Sequence, residues 1–242
     1  MLQTSKVRTI TIRTLIFFVA VLSAALHAQT ISPVLSEYRG DANGQVVLTN
    51  NTLTPMTVVL ETTGMLVSET GDITYPPLSP DITVKLSSNS IKIPPRQRAF
   101  VSYSAKTKTL PSWFVIYAAF RSTPMRDKPG ITVQIKLPHT VYLLPKKNTA
   151  KAEISVVSAV FDRKKKRVYL DLASTSPTVG RVLATEVFIG RKMVEAPGGG
   201  FPIFPGKHRK LEVDWKEDSA PDRVVFEFRD FKVEATVTAG SQ

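Results

Sequence analysis

Apolar residues alternate with polar ones along most of this chain after residue 28, and this spacing constrains its fold more than any other feature. Leu211, Val213 and Trp215, for example, are separated by Glu212 and Asp214. A period of two puts successive side chains on opposite faces of a β-strand, so that one face meets a core and the other meets water. No long segment after residue 28 has the helical period of 3.6 residues. We therefore predict an all-β protein.

Turn-forming residues divide these predicted strands. The chain has 17 prolines and 12 glycines, and its short strands recur about every 8–12 residues, as they do in sandwiches and barrels. A short polar segment, Pro145–Ala150, follows a long predicted strand and is the predicted domain boundary. Residues 29–145 and 146–242 each have about the usual 100 residues of a domain. The pattern predicts two tandem immunoglobulin-like β-sandwich domains.

The first 28 residues have the features of a signal peptide. Lys6, Arg8 and Arg13 form a basic start, and an apolar run of 12 residues follows at Leu15–Leu26. That run is shorter than the roughly 20 residues that span a bilayer. Polar sequence begins directly after Ala28, so we predict cleavage near Ala28, with an uncleaved membrane anchor as the alternative.

The charge and the cysteine content limit the partners and the chemistry. The net charge is +12, and removing the three cations of the predicted signal peptide leaves +9. An exported basic chain is expected to meet an acidic protein or a carboxylate rather than nucleic acid. The chain has no cysteine, which excludes thiolate metal sites and cysteine nucleophiles. No segment after the predicted signal peptide is apolar enough to insert stably into a membrane.

Few residues suggest an enzyme or a bound cofactor. Only two histidines, His139 and His208, follow residue 28, and neither a His-Glu-x-x-His motif nor a Gly-x-Ser-x-Gly turn occurs. A hydrolase would need one of these histidines beside an exposed serine and an acid. The basic run Arg163–Arg167 is predicted to be a solvated turn, with a membrane-surface or partner contact as the second interpretation. We expect no enzymatic activity, metal or cofactor.

Residues 131–144 form the most informative segment. Every odd position from Ile131 to Leu143 is apolar except His139. Pro138 lies within the segment and cannot donate a ladder hydrogen bond, which favours an edge strand or a bulge. An apolar edge can complete the sheet of another protein by β-augmentation. The alternative is an ordinary strand whose apolar face lies in its own core.

A series of motifs in the first predicted domain resembles the PapD-like periplasmic chaperones of the chaperone–usher pathway. No single motif is decisive, and their order along the chain carries the resemblance. The motifs are Val46–Asn51 followed by Pro55 and Val58, then Pro76–Leu78, Ile93–Gln97, Leu110–Pro111, Trp113–Tyr117, Pro124, and a closing Pro145. The second predicted domain resembles the family in size and strand pattern.

The resemblance implies a donor strand that lends alternating apolar residues to a pilus or fimbrial subunit lacking its own last strand. Matched back from Pro145 without gaps, the donor positions are Ile131, Val133, Ile135 and Leu137. The family passes its subunits to an outer-membrane usher, so the resemblance implies a periplasmic, non-enzymatic chaperone. The short loop at residues 122–130 is typical of the short-loop class of the family.

The sequence departs from the family at the subunit's carboxylate anchor. The family uses an Arg on the first strand and a Lys on the donor strand, and these positions fall near Val34 and on Thr140. The nearest cations are Arg39 and Lys136, so the candidate anchors are Lys136, Thr140 and Arg39. A register shift would put Lys136 on the family's Lys, but it would move the donor positions into residues 126–129.

A second departure concerns the contact between the domains. Leu144 replaces the family's Arg before the closing proline, and the acid near the Leu-Pro motif is absent, so we expect no charged contact there. The chain is then a divergent chaperone or a relative that no longer serves pili. The alternative from another class is a structural or adhesive exported surface protein that uses the odd residues of 131–143 in its own core.

Overall fold

The computed structural model describes residues 29–122, 134–195 and 199–240. The predicted signal peptide lies outside these residues. The described chain is all-β, as predicted, with one single-turn 3₁₀ helix at Lys151–Glu153. No helix in these three ranges has the length and the apolar character needed to cross a membrane.

Eleven strands precede the 3₁₀ helix. They are β1 (Thr30–Ser32), β2 (Leu35–Arg39), β3 (Ala42–Thr49), β4 (Met56–Thr63), β5 (Leu66–Val67), β6 (Ile73–Thr74), β7 (Ile82–Leu86), β8 (Ser90–Ile93), β9 (Arg98–Thr107), β10 (Ser112–Ser122) and β11 (Gln134–Leu144). Two sheets, of order β1-β3-β9-β7 and β2-β11-β10-β4-β8, form the first sandwich, and β5 and β6 form a separate hairpin. The buried core between the two sheets includes Val46, Leu48, Val101, Phe114 and Phe120.

Ten strands follow the helix. They are β12 (Ile154–Asp162), β13 (Arg167–Ser174), β14 (Gly180–Val182), β15 (Ala184–Ile189), β16 (Lys192–Glu195), β17 (Phe201–Ile203), β18 (His208–Asp214), β19 (Arg223–Glu227), β20 (Lys232–Thr236) and β21 (Thr238–Ala239). Sheets of order β18-β13-β12-β21 and β16-β15-β19-β20 form the second sandwich, and β14 pairs with β17. Its core includes Val168, Leu172, Val187, Val224 and Phe226.

The first strand is shared between the two sheets of the first sandwich. β1 pairs with β3, the chain turns at Pro33 and Val34, and β2 then pairs in parallel with β11 in the opposite sheet. Because β2 begins only at Leu35, its pairing with β11 covers Thr140–Leu144 and no more. This late start of β2 determines which part of β11 lies at an open edge.

A third apolar cluster joins the two sandwiches. Met65, Val115, Tyr142 and Leu144 from the first sandwich pack with Val179 and Phe204 from the second. The rings of Trp113 and Phe204 lie 4.5 Å apart. Strands β10 and β11 are therefore buried on both faces near this cluster. The continuous apolar run Trp113–Phe120 is the sequence signal that indicates such two-sided burial.

Candidate functional site

Strand β11 has two halves with different neighbours. On one side it pairs with β10 along nearly its whole length, from Gln134 to Leu143. On the other side β2 covers only Thr140–Leu144, where Thr140 N donates to Val34 O at 2.9 Å. In the described part of the chain, Gln134–Pro138 therefore have a strand on one side and an open edge on the other.

The backbone of this open edge offers few hydrogen-bond donors. Successive N–H groups of a strand point to alternate sides. Because the N–H of Thr140 points toward β2, those of Gln134 and Lys136 point to the same, open side. Pro138 also faces that side and has no N–H. The missing N–H of Pro138 therefore removes no hydrogen bond from the ladder between β10 and β11, as expected for a proline in an edge strand.

The odd-numbered face of β11 passes from the core to the surface. His139, Val141 and Leu143 are fully buried, and Leu137 is half-buried against the same core. Ile135 is also half-buried but lies outside the core cluster. The predicted donor positions Ile131 and Val133 lie outside the described residues. Of the two donor positions that the structure describes, Leu137 packs against the core and Ile135 is half-buried outside the core cluster.

The even-numbered face of β11 looks toward the second sandwich. Tyr142 and Leu144 on this face belong to the cluster that joins the sandwiches. Lys136 and Thr140 share the face, because they are separated from Tyr142 by even numbers of residues. The side chain of Lys136 therefore lies on the same face of β11 as Tyr142, and its Nζ lies 3.3 Å from Glu61 Oε2.

The three candidate anchors differ in how far they are already engaged. Lys136 is half-exposed, and its ion pair with the half-exposed Glu61 belongs to a class that contributes about 0–1 kcal/mol. Thr140 is half-buried. Arg39 donates to Pro145 O at 2.7 Å and to Asn148 Oδ1, so it holds the connecting segment. Of the two cations among these candidates, Lys136 is therefore the more available.

His139 is buried with both ring nitrogens bonded. Its Nδ1 lies 2.8 Å from Pro33 O, and its Nε2 lies 2.9 Å from the hydroxyl of Tyr103. A carbonyl oxygen only accepts, so Nδ1 carries the proton and Nε2 accepts from Tyr103. Burial lowers the pKa of His139, although the bond to Pro33 acts in the opposite direction. The neutral ring is a structural part of the core, and neither of its nitrogens is available to bond an exposed serine.

A charged contact between the sandwiches lies close to β11. Arg181 Nε donates to Glu37 Oε1 at 2.8 Å, and the guanidinium lies 5.1 Å from the ring centre of Tyr142. We expected no charged contact between the domains, and this prediction is wrong, because Glu37 and Arg181 form one. Leu144 itself lies in the apolar cluster that joins the sandwiches. No local motif could predict this pair, because only the fold brings together two residues 144 positions apart.

A small cavity of about 100 Å³ lies beside the Glu37–Arg181 pair, and its lining includes Arg39, Asn148 and Thr178.

The described residues contain no cluster suited to a metal ion, because no three His, Asp or Glu side chains are grouped among them. His208 Nδ1 lies 2.9 Å from Asp171 Oδ1 on the surface of the second sandwich. The first four residues of the basic run, Arg163–Lys166, form the exposed turn between β12 and β13, as predicted, and Arg167 begins β13.

Comparisons with known proteins give similarity in structure alone. No protein-family model matches the chain, and no curated protein matches its sequence. The class 5 fimbriae chaperone CfaA is 12% identical, with a TM-score of 0.52, over 87% of this chain and 99% of that one. The YadV chaperone is 15% identical, with a TM-score of 0.54, over 86% and 98%.

A third similar structure is the complex of the SafA pilin with the SafB chaperone from Salmonella enterica. Its matching chain is 10% identical, with a TM-score of 0.56, over 88% of this chain and 98% of that one. Similarity at this level of identity establishes the fold. The protein has the two-sandwich fold of these solved chaperones along nearly their whole length.

Proposed function

We propose that this protein is a non-enzymatic periplasmic chaperone for pilus or fimbrial subunits. It caps each subunit by donor-strand complementation and delivers it to an outer-membrane usher. The observation that carries the proposal is the open edge of β11 at Gln134–Pro138, which is paired on one side only. The fold shared with solved chaperones and the predicted signal peptide support the class of protein and the compartment.

The apolar side chains of β11 fit the role of a lent strand. Ile135 and Leu137 are half-buried in the free protein, so each retains apolar surface that a partner can cover. Covering apolar area contributes roughly 25 cal/mol per Å² before the costs of association. Ile131 and Val133 would extend the same row in the N-terminal direction. A subunit with an open groove would gain a strand with an apolar residue at every second position.

Lys136 is the proposed anchor for the subunit's terminal carboxylate. Its side chain lies on the face of β11 that looks toward the second sandwich, and its present partner is the exposed Glu61. A carboxylate that enters this region needs a cation or several N–H donors. An incoming carboxylate can replace Glu61, because an exposed ion pair contributes little. Thr140 lies four residues further along the same face of β11 and would line the path.

The structural or adhesive surface protein is the second candidate, and one observation favours it. Val141 and Leu143 lie in the protein's own core and His139 is buried beside them, as that interpretation requires of the whole row. It would also require Ile135 in the core, and Ile135 lies outside the core cluster. The two candidates therefore differ in what Ile135 does in the free protein.

The test is co-expression of residues 29–242 with exported pilin-like subunits, followed by purification of the complex. Ile135→Asp should weaken capture by ~10-fold or more, because burying an isoleucine contributes ~1.5–3 kcal/mol. The free variant should keep its near-ultraviolet circular dichroism. The matched control is Ile91→Asp, since Ile91 is a half-buried isoleucine on β8, the opposite edge of the same sheet.

The anchor is tested in the same assay. Lys136→Gln should reduce capture, whereas Lys92→Gln on β8 should leave it unchanged. Capture by the Ile135→Asp protein at the wild-type level would contradict the chaperone proposal. Unfolding of the free Ile135→Asp protein would instead assign the residue to its own core and support the structural alternative.

A further inference from the structure

The β5–β6 hairpin of the first sandwich reaches the surface of the second. Leu66 pairs with Thr74 and Val67 with Ile73, and five residues, Ser68–Asp72, form the tip of the hairpin. The tip contacts β18, which is the edge strand of its sheet in the second sandwich. No motif in the sequence pointed to this contact.

The tip is ordered by its own hydrogen bonds. Ser68 N donates to Asp72 O at 2.9 Å, and the Ser68 hydroxyl accepts from Asp72 N at 3.0 Å. The Thr70 hydroxyl donates to Asp72 Oδ2 at 2.7 Å. The Thr70 bond and a weaker one from the Ser68 hydroxyl to the same oxygen lower the pKa of the Asp72 carboxyl, with a smaller contribution from Arg209. These hydrogen bonds within residues 68–72 stabilise the conformation of the tip.

A backbone hydrogen bond joins the tip to β18. Lys210 N donates to Glu69 O at 2.7 Å, and Lys210 Nζ lies 2.6 Å from Glu69 Oε2. The ion pair is half-exposed and contributes little by itself. The backbone bond is different, because it uses an edge N–H of β18 and fixes the position of the tip along that strand.

Arg209 provides a second contact with the tip. Its guanidinium lies directly on Gly71, so that a Cβ atom there would come within 2.1 Å of the guanidinium nitrogens. The same group lies 5.4 Å from the ring centre of Phe201. Gly71 also has a φ of +99°, which favours glycine. Gly71 therefore allows both the backbone conformation of the turn and the close approach of the Arg209 guanidinium.

The base of the hairpin is held by the first sandwich. Trp113 Nε1 donates to Met65 O at 2.7 Å, and Met65 lies in the cluster that joins the sandwiches. The Thr63 hydroxyl donates to Pro76 O at 2.6 Å on the other flank. The hairpin is therefore fixed at its base to one sandwich and at its tip to the other.

We propose that the tip is a latch that holds the two sandwiches at a fixed angle. Beside the apolar cluster that joins the sandwiches, the Glu37–Arg181 pair is a second polar attachment. It starts from β2, three strands away from β4 in the same sheet. Two attachments at that separation, about 14 Å at the usual strand spacing, oppose both bending and twisting. Domains joined by a short segment otherwise move relative to each other. Residues Glu69, Gly71 and Arg209 are positioning residues, and this role does not depend on the proposed function.

The test measures the distance between the sandwiches in solution. The chain has no cysteine, so Lys85→Cys and Lys164→Cys place one spin label on each sandwich without side reactions. Pulsed electron resonance then gives the distribution of label-to-label distances. In the test variant an Asn-Gly pair replaces Ser68–Asp72, which keeps the Val67–Ile73 pair and removes the tip. We expect a narrow distribution for the full chain and a broadened, shifted one for the variant.

Point variants separate the latch from the fold of the hairpin. In Gly71→Ala the added Cβ displaces the Arg209 guanidinium. The control is Gly40→Ala, because Gly40 has a similar φ of +89° and an added Cβ there meets no atom within 4 Å. Broadening in Gly71→Ala and in Arg209→Ala, with none in Gly40→Ala, supports the latch even if the shortened hairpin fails to fold. Distributions as narrow as that of the unaltered chain in both point variants would overturn it.

Discussion

At the scale of single residues, His139 shows what an alternating pattern can and cannot predict. The sequence marks it as the one polar residue in an apolar row, which indicates a hydrogen-bonded residue rather than a catalytic one. In the structure both ring nitrogens are hydrogen-bonded and the ring has no exposed surface. Its partners could not be predicted, because Pro33 and Tyr103 come from distant parts of the chain. Tyr38 extends this chain of bonds through its contact with the Tyr103 hydroxyl.

The burial of His139 predicts a dependence of stability on pH. Burial lowers the pKa of the folded state below the ordinary value, so the unfolded chain binds the proton more readily. Stability from this group is present above pH ~6.5 and is lost as the pH falls toward the lowered pKa, by up to ~1.4 kcal/mol per pH unit. Urea unfolding at pH 7 and pH 5 measures the loss.

The matched variant for this prediction is His139→Gln, which keeps a donor and an acceptor but does not titrate. The free energy of unfolding should fall less between pH 7 and pH 5 in this variant than in the unaltered protein. Parallel losses in the two proteins would assign the pH dependence to other groups.

The candidate anchors give a second comparison at the residue scale. The positions of Lys136, Thr140 and Arg39 were predictable, but their environments were not. Arg39 bonds to Pro145 and Asn148, which lie 106 and 109 residues later in the chain. Such contacts depend on the path of the chain between the sandwiches. The assignment of any of the three to a subunit carboxylate stays a prediction.

At the scale of elements, β11 combines a core strand and an open edge. The alternation in residues 131–144 and the position of Pro138 favoured an edge strand or a bulge, and left open an ordinary strand whose apolar face lies in its own core. The division of the strand at residue 139 was not predictable, because it depends on where the chain crosses from β1 to β2. The crossing at Pro33 and Val34 leaves no residue opposite Gln134–Pro138 in the described part of the chain.

Amide hydrogen exchange tests this view of β11. In the free protein the Lys136 amide points to the open side and should exchange rapidly, whereas the Leu137 amide faces β10 and should be protected. Binding of a subunit strand should slow exchange at Lys136 and leave Leu137 nearly unchanged. Equal protection of both amides in the free protein would mean that another segment already covers the edge.

At the scale of the whole molecule, the two sandwiches share an apolar cluster. The length of the chain and its turn residues were sufficient to predict two sandwiches. The shared cluster was harder to predict, because Tyr142 and Leu144 lie on the face that an alternating pattern assigns to water. The apolar run Trp113–Phe120 contained the signal, since such a run indicates burial on both faces. The division of the chain at residue 145 stays a prediction.

The shared cluster predicts coupled unfolding of the sandwiches. We expect one calorimetric transition for the unaltered protein, because Trp113 packs 4.5 Å from Phe204 of the second sandwich. Trp113→Ala should remove ~3 kcal/mol of stability and split the transition in two. Phe100→Ala removes an aromatic ring that is 59% exposed and should leave one transition. Two transitions in the unaltered protein would show that the sandwiches unfold independently.

The position of Pro138 has a consequence for self-association. An open strand edge invites pairing with the same edge of a second copy, which is a route to aggregation. Pro138 removes one donor from the open side, so only the N–H groups of Gln134 and Lys136 remain there within the described strand. Pairing of two identical edges would also bring the Lys136 side chains of the two copies close together, and their like charges would repel each other. The edge therefore disfavours a copy of itself and remains available to a chain of different sequence.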